Sequence, residues 1–158
     1  MATGRRTEEA TELEAGAPRS NSEMAELLRK TRLFADLPSR NLTAFIRYAT
    51  MHHADEGVPL IEQGEPGHFM AVVMAGACIV HRDGDQVSTL GPGDCLGEMS
   101  MIDGLPCSAT VTTTEPTDVL ILRRSDFDHV LKVAPGLTRT LLSQLSLRLR
   151  ELHAHPTD

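Results

Sequence analysis

Apolar positions change their spacing along this chain, and the changes divide the sequence into three parts. Between residues 22 and 33, and again between 39 and 49, apolar side chains recur about every 3.6 residues, which is typical of amphipathic helices. Ser22 is a suitable N-cap for the first helix, and the sequence Asp-Leu-Pro-Ser at 36–39 separates the two. Two short helices are therefore predicted within residues 23–50.

From residue 51 to residue 122 the pattern becomes that of short strands. Glycines separate the β-prone runs at short intervals, at positions 57, 64, 67, 76, 84, 91, 93 and 104. The sequence Arg-Asp-Gly-Asp at 82–85 predicts a hairpin turn with a positive φ at Gly84, and residues 63–67 predict a second tight turn. We expect a mainly β domain of about eight short strands, arranged as a sandwich or barrel.

Helical spacing returns after the last predicted strand, at 117–122. Ser125 is a suitable cap for the first of the C-terminal helices, which we place within 125–153. Pro135 and Gly136 interrupt the pattern, and a final helix is predicted over 137–152. Its apolar stripe consists of Leu141, Leu145, Leu149 and Leu152, with Leu142 beside it. Such a stripe first of all packs on its own domain, and it also suits a homodimer or a partner protein.

The first 22 residues differ in composition from the rest of the chain. They contain four glutamates and almost no large apolar side chains. Such a segment buries too little surface to offset the entropy that ordering would cost. We therefore predict a disordered acidic tail at 1–22, followed by one domain at 23–158.

Composition and charge narrow the classes of protein. The chain has 158 residues, 41% of them hydrophobic, and a net charge of -7. An acidic chain without a Lys- or Arg-rich run is poorly suited to a nucleic-acid backbone, so no nucleic-acid partner is expected. The longest apolar stretch, residues 69–75, is far shorter than the roughly 20 residues of a membrane span, and the N-terminus lacks a signal-peptide core. We expect a cytoplasmic protein that does not contact membranes.

Metal binding and catalysis find little support in the sequence. The three cysteines are widely spaced and form no Cys-x-x-Cys pair, so neither a zinc site nor a disulfide framework is predicted. His52 and His53 are adjacent, and neighbouring residues on a strand point to opposite faces. No nucleophile has an evident partner base, and we expect no enzyme activity and no cofactor.

The most informative segment is residues 93–111. It contains a Gly-Asp opening, the pair Gly97-Glu98, a short apolar stretch suited to one helical turn, and a β-prone Ser-Ala-Thr-Val run at 108–111. A helix that begins near Gly97 presents unpaired N–H groups and a positive dipole end, which favour an anion. This segment resembles the phosphate-binding cassette of cyclic-nucleotide-binding domains. The resemblance extends over residues 24–152 and includes the strand-turn-strand pattern at 60–80.

The resemblance implies a fold and a ligand site. The fold is a double-stranded β-helix, or jelly-roll barrel, at 51–122, flanked by N-terminal and C-terminal helices. The ligand is a cyclic nucleotide, cAMP or cGMP, and Glu98 is implied as the acceptor for the ribose 2′-hydroxyl. The residues implied around the ligand are Gly97, Glu98, Met99, Ser100, Cys107, Ser108, Ala109 and Thr110.

One position departs from the family's pattern. Where these domains have an arginine that holds the cyclic phosphate, this chain has Cys107. A guanidinium forms charge-assisted hydrogen bonds of about 1.5–3 kcal/mol each, and a thiol forms none. The loss of two such bonds weakens binding by roughly two to four powers of ten. A replacement cation would have to come from elsewhere, and the candidates are Arg82, Arg123, Arg124 and His81.

The sequence leaves two functions open. The first is a stand-alone cyclic-nucleotide-binding regulatory or sensor module, without a DNA-binding domain, whose C-terminal helices close over the ligand. The second is a degenerate member of the fold that no longer binds nucleotide and acts as a protein-interaction domain. Glu98 favours the first interpretation, and Cys107 favours the second.

Overall fold

Helices flank and interrupt a set of antiparallel strands. The computed structural model describes residues 13–16, 20–31 and 33–154 of the chain. The helices are α1 (Asn21–Arg29), α2 (Ser39–Tyr48), α3 (Glu98–Asp103), α4 (Arg124–Val133) and α5 (Pro135–Ala154). The strands are β1 (Glu14–Ala15), β2 (Thr50–Ala54), β3 (Pro59–Ile61), β4 (Phe69–Ala75), β5 (Cys78–Arg82), β6 (Asp85–Leu90), β7 (Cys95–Leu96), β8 (Thr110–Thr113) and β9 (Thr117–Arg123).

The described strands form two antiparallel sheets. One has the order β1-β2-β9-β4-β7, and the other has the order β3-β8-β5-β6. The hairpin between β5 and β6 turns at Asp83 and Gly84, both with positive φ, as the sequence predicts for Gly84. The predicted mainly β, jelly-roll-type fold with flanking helices is confirmed, as two sheets rather than one closed barrel.

Strands β4 and β9 are buried on both faces, which accounts for the continuous apolar run at 69–75. Alternate side chains of a strand point to opposite faces. On one face, Met70, Val72, Met74, Leu120 and Leu122 pack against the helices. On the other face, Ala71, Val73, Val119 and Ile121 pack against the second sheet. The domain therefore has three layers: helices, the five-stranded sheet and the four-stranded sheet.

One side chain of α1 hydrogen-bonds to the loop and to the start of α2. The Arg29 guanidinium, in the last turn of α1, donates to the Leu37 carbonyl at 3.0 Å and to the Ser39 hydroxyl at 2.8 Å. Leu33, Phe34 and Leu37 in the connecting loop are buried in the helical core. The loop that the sequence marks as a break between helices is thus a packed element of the domain.

The prediction of a disordered tail at 1–22 stays a prediction, since most of these residues lie outside the described part of the chain. Residues 1–12 and 17–19 lie outside the described residues. Glu14 and Ala15, however, pair with His53 and His52 of β2. Backbone pairing at a sheet edge supplies hydrogen bonds that composition does not reveal.

Helix starts also differ from the predicted positions by a few residues. Ser20 rather than Ser22 caps α1, because its hydroxyl accepts the Glu23 N–H at 3.1 Å. Helix α4 begins at Arg124, and no side chain caps it. Helix α5 begins at Pro135, where the fixed φ and missing N–H of proline suit the first position of a helix.

Gly76, in the turn between β4 and β5, lies in close contact with the backbone that leads into β9. Its φ is +98°, and a Cβ built there would lie 2.5 Å from the Thr117 hydroxyl and 2.6 Å from the Pro116 carbonyl oxygen. Gly84 has a similar φ of +83° with nothing within 4 Å. We expect Gly76→Ala to lower the free energy of unfolding by about 2–4 kcal/mol and Gly84→Ala by about 1 kcal/mol, measured by urea denaturation.

Comparing the two variants separates steric conflict from backbone strain. The φ angles of Gly76 and Gly84 are similar, and only Gly76 has atoms close to the added Cβ. Equal losses for both variants would show that the turn at Gly76 has room for a methyl group and that only its dihedral angle matters.

Candidate functional site

The short helix α3 is placed by Gly97, which precedes it. Gly97 has a left-handed φ of 78° and follows β7, whose residues pair with Ala71 and Val72 of β4. A Cβ at Gly97 would lie 2.5 Å from the Phe69 carbonyl oxygen. Only glycine fits this approach without a shift of the backbone. The glycine of the Gly-Glu pair is therefore required by the contact between α3 and β4.

A cavity of about 380 Å³ lies beside α3, a size within the range of small-ligand pockets. Of the predicted ligand residues, it is lined by Gly97, Glu98, Met99, Ser100, Cys107, Ser108 and Ala109. Its apolar wall includes Ile61, Val80 and Leu90. The fold thus brings together seven of the eight residues that the sequence motif implied.

Thr110 is the predicted residue that the fold does not bring to this cavity. It is the first residue of β8, and its hydroxyl accepts the Gln63 N–H at 2.9 Å. Ala109 and Val111, its neighbours in sequence, both line the cavity. Because side chains alternate along a strand, Thr110 points away from the face that its neighbours present.

Glu98 is buried and already has a charged partner. Its side chain is only 8% exposed, and its Oε1 accepts a hydrogen bond of 2.6 Å from Arg148 on α5. Arg148 itself lines the cavity and is 47% exposed. The acidic group that the sequence implied as a ribose acceptor is therefore joined to the last helix of the domain.

Sequence reasoning missed Arg148. One signal was present: Arg148 lies seven residues after Leu141, which is buried against the core. Residues seven apart lie on nearly the same side of a helix, so Arg148 had to face the domain. Which side chain Arg148 contacts depends on the angle between α5 and α3, and no sequence pattern predicts that angle.

Cys107 occupies the arginine position as a buried, uncharged side chain. It is 5% exposed, and its Sγ lies 3.9 Å from the Ser100 hydroxyl, a weak contact. Its backbone is held on both sides, since Cys107 N–H donates to the Glu65 carbonyl and the Gly64 N–H donates to the Cys107 carbonyl, each at 2.8 Å. Cys107 therefore shapes the end of the cavity without contributing a charge.

Of the four candidate replacement cations, the cavity is lined by Arg82 alone. Arg124 is engaged elsewhere, because its guanidinium donates to the Gly67 and Ser100 carbonyls at 3.1 and 3.0 Å. The bond to Ser100 fastens α3 to the start of α4, and the bond to Gly67 fastens the loop before β4 to the same point. His81 follows Val80 on β5 and therefore faces the side of the sheet away from the cavity. Arg123 is exposed at the end of β9.

Four other described side chains have shifted pKa values. Hydrogen bonding to the Asp118 carboxylate, 2.8 Å away, raises the pKa of His53, whereas burial lowers the pKa of His52. Burial also raises the pKa of the Cys78 thiol to about 11 and that of the Cys95 thiol well above its usual value. Among the residues that the structure describes, no group of three or more His, Cys, Asp or Glu side chains is placed to hold a metal ion.

Similarity to known proteins points to one family. The family described as "Cyclic nucleotide-binding domain" matches residues 51–133. The cyclic AMP receptor protein of Thermus thermophilus is 30% identical over 129 residues, which cover 78% of this chain and 60% of that protein. The cAMP-dependent protein kinase regulatory subunit of Yarrowia lipolytica is 30% identical over 99 residues, which cover 63% of this chain and 26% of that protein.

A solved structure agrees over most of the chain. A cyclic nucleotide-binding domain from Methylobacillus flagellatus superimposes with a TM-score of 0.73 at 28% identity, covering 92% of this chain and 90% of that one. By contrast, the chain spans about a quarter to 60% of the length of the two curated relatives above.

No helix in the described part of the chain is both long and apolar enough to cross a membrane.

The ion pair between Arg148 and Glu98 predicts a measurable contribution to stability. Removing the cation leaves a buried carboxylate without its partner, and partial exposure of Arg148 reduces the cost. We expect Arg148→Ala to lower the free energy of unfolding by about 1–2 kcal/mol, measured by urea denaturation. Arg150→Ala, an exposed arginine two residues away, is the matched control and should change stability by less than about 0.5 kcal/mol.

A double-mutant cycle with Glu98→Gln distinguishes the pair from a general effect on α5. Glu98→Gln should make the loss caused by Arg148→Ala smaller. If Arg148→Ala cost the same in both backgrounds, the contact between the two side chains would not be the source of its effect.

Proposed function

Since the chain belongs to the cyclic nucleotide-binding domain family, we propose that it is a cytoplasmic regulatory module that binds cAMP or cGMP and catalyses no reaction. The observation that carries this proposal is the cavity beside α3, which seven of the eight implied ligand residues line. Its volume of about 380 Å³ is adequate for a ligand of nucleotide size. The relatives named for cyclic AMP support the same ligand class.

In this proposal each part of the cavity meets a different part of the ligand. Glu98 accepts a hydrogen bond from the ribose 2′-hydroxyl, since an ionised carboxylate can only accept. The Ser100 and Ser108 hydroxyls donate to the phosphate oxygens. The apolar wall formed by Ile61, Val80 and Leu90 is suited to the sugar and base.

The contact between Glu98 and Arg148 supplies a mechanism for regulation. In the described state, the carboxylate is occupied by a side chain of α5. A ribose hydroxyl that binds Glu98 shares the carboxylate with Arg148, and in this proposal the ligand thereby changes the balance between two positions of α5. A ligand shifts such an equilibrium only through contacts that differ between the two states, and this contact differs.

Helix α5 also has a surface suited to self-association. Leu142, Leu149 and Leu152 are 61%, 59% and 71% exposed, and Leu145 lies between them on the same side. Their spacing of three and four residues is that of a coiled-coil seam. We propose that two copies of the chain pair along α5, with this stripe at the centre. The stripe is adjacent to the side of α5 that carries Arg148. A rotation of α5 about its axis would therefore change both the pairing surface and the contact with Glu98.

A second function is favoured by Cys107. The residue is buried and neutral at the position where the family has its phosphate-binding arginine. A domain that has lost this charge and whose Glu98 is paired internally can serve as a protein-interaction module without a nucleotide. The two proposals make opposite predictions about the wild-type protein.

Calorimetric titration with cAMP and cGMP decides between them. We expect the wild-type protein to bind at micromolar concentrations, and Cys107→Arg to bind about 10- to 1000-fold more tightly, because it restores charge-assisted bonds to the phosphate. Glu98→Ala is expected to weaken binding, with the thermal midpoint of each variant checked to show that it is folded. Binding by Cys107→Arg but not by the wild type would instead favour the interaction module.

Self-association through α5 is tested by analytical ultracentrifugation. Leu149→Glu places a charge in the leucine stripe and should convert a dimer into a monomer. The matched control is Leu147→Glu, since Leu147 is 49% exposed on nearly the opposite side of α5. A wild-type protein that is monomeric at 100 times the concentration used in the titration, on the order of 1 mM, would rule out the proposed pairing.

A further inference from the structure

Arg82 is the last residue of β5, is exposed, and lines the cavity. Cys78 and Val80, two and four residues before it, are buried toward the second face of the five-stranded sheet. Alternation along the strand places Arg82 on this same inner face, and the side chain lines the cavity together with Cys107 and Ser108. A permanent positive charge therefore lies next to the position at which the family's arginine is missing.

The direction of the Arg82 side chain is set by its neighbours. Its Nε–H donates to the Ser108 carbonyl at 3.2 Å, which leaves the two terminal amino groups of the guanidinium for another acceptor. Asp83, the nearest acid in sequence, is turned toward Gln63: its carboxylate accepts the Gln63 amide at 2.8 Å, and its N–H donates back to Gln63 at 2.9 Å. This pair of bonds holds the hairpin turn against the loop before β4.

The charges around the cavity identify Arg82 as the cation available to a ligand. The Asp, Glu, Lys and Arg residues that line it are Arg82, Glu98, Arg148 and Glu151. Arg148 is paired with Glu98. Without Arg82 the remaining charges, one positive and two negative, sum to -1, and an anionic phosphate would be repelled. With Arg82 the sum is zero before the ligand enters.

The nearest competitor on the same hairpin is Asp85, which is the register partner of Arg82 across the β5–β6 turn. Its carboxylate is within reach of a long side chain on the neighbouring strand. The bond to Ser108, however, directs the Arg82 guanidinium toward β8 and the cavity rather than back along the hairpin.

We propose that Arg82 takes the place of the missing arginine and holds the phosphate of the cyclic nucleotide from β5, the strand that neighbours β8. The inference rests on the proposed function. In this arrangement the cation comes from β5, whereas the family's motif would supply it from position 107. The guanidinium donates its terminal N–H groups to a phosphate oxygen while its Nε–H remains on Ser108.

The test is a calorimetric titration of the full chain with cAMP, in two backgrounds. In the wild-type background, Arg82→Gln should weaken binding by about 10- to 100-fold, and Arg82→Lys, which keeps the charge without the fork, should weaken it less. In the Cys107→Arg background, Arg82→Gln should weaken binding by less than about 3-fold, because the phosphate then has its own arginine. Arg123→Gln, at the exposed end of β9, is the matched control and should change neither affinity.

The outcomes separate this inference from the function on which it rests. If the wild type binds cAMP and Arg82→Gln has no effect, the proposed role of Arg82 is wrong and the proposed function stands. An equal loss in both backgrounds would also overturn the role, since it would show a general change in the cavity. If the wild type does not bind but Cys107→Arg does, the proposed function fails, and Arg82 does not replace the missing charge.

Discussion

The arrangement of this domain depends on strands β4 and β9, which are buried on both faces. Their alternate side chains pack against the helices on one side and against the second sheet on the other, so each strand is in contact with two layers. Helix α3 is then held against β4 through Gly97, where there is no room for a side chain. Helix α4 follows β9 directly, and Arg124 binds the carbonyls of Gly67 and Ser100. The side of the cavity formed by α3 is thus attached to the most deeply buried part of the domain.

The cavity itself is formed by groups whose charges nearly balance. Glu98 is buried, and its negative charge is met by Arg148 from a helix fifty residues further along the chain. Arg82 contributes a second positive charge from the end of a strand, and Cys107 contributes none. A buried carboxylate is stable only when a cation or several donors compensate it. A ligand that binds Glu98 in the proposed way would share this carboxylate with Arg148 of α5.

Much of this could be read in the sequence because the relevant signals are local. The 3.6-residue spacing, the glycines between strands, the turn at Asp83 and Gly84, and the run around Gly97 and Glu98 each depend on residues close together in the chain. The family resemblance rests on the same local patterns, and it identified seven residues that line the cavity. Local patterns do not reveal tertiary contacts such as those of Glu14 and Ala15, which pair with the edge of a sheet.

What the sequence alone determined is the type of most elements, the frame of the cassette, and the absence of an arginine at position 107. Those features follow from backbone preferences and side-chain identities that act within a few residues. What only the tertiary structure decided is which distant side chains share the cavity: Arg82 and Arg148 enter it, Arg124 is held on backbone carbonyls, and Thr110 faces away. The physical reason is that these positions depend on strand register and on the angles between packed elements. Both are set by burial of the whole core, and no short segment of sequence encodes them.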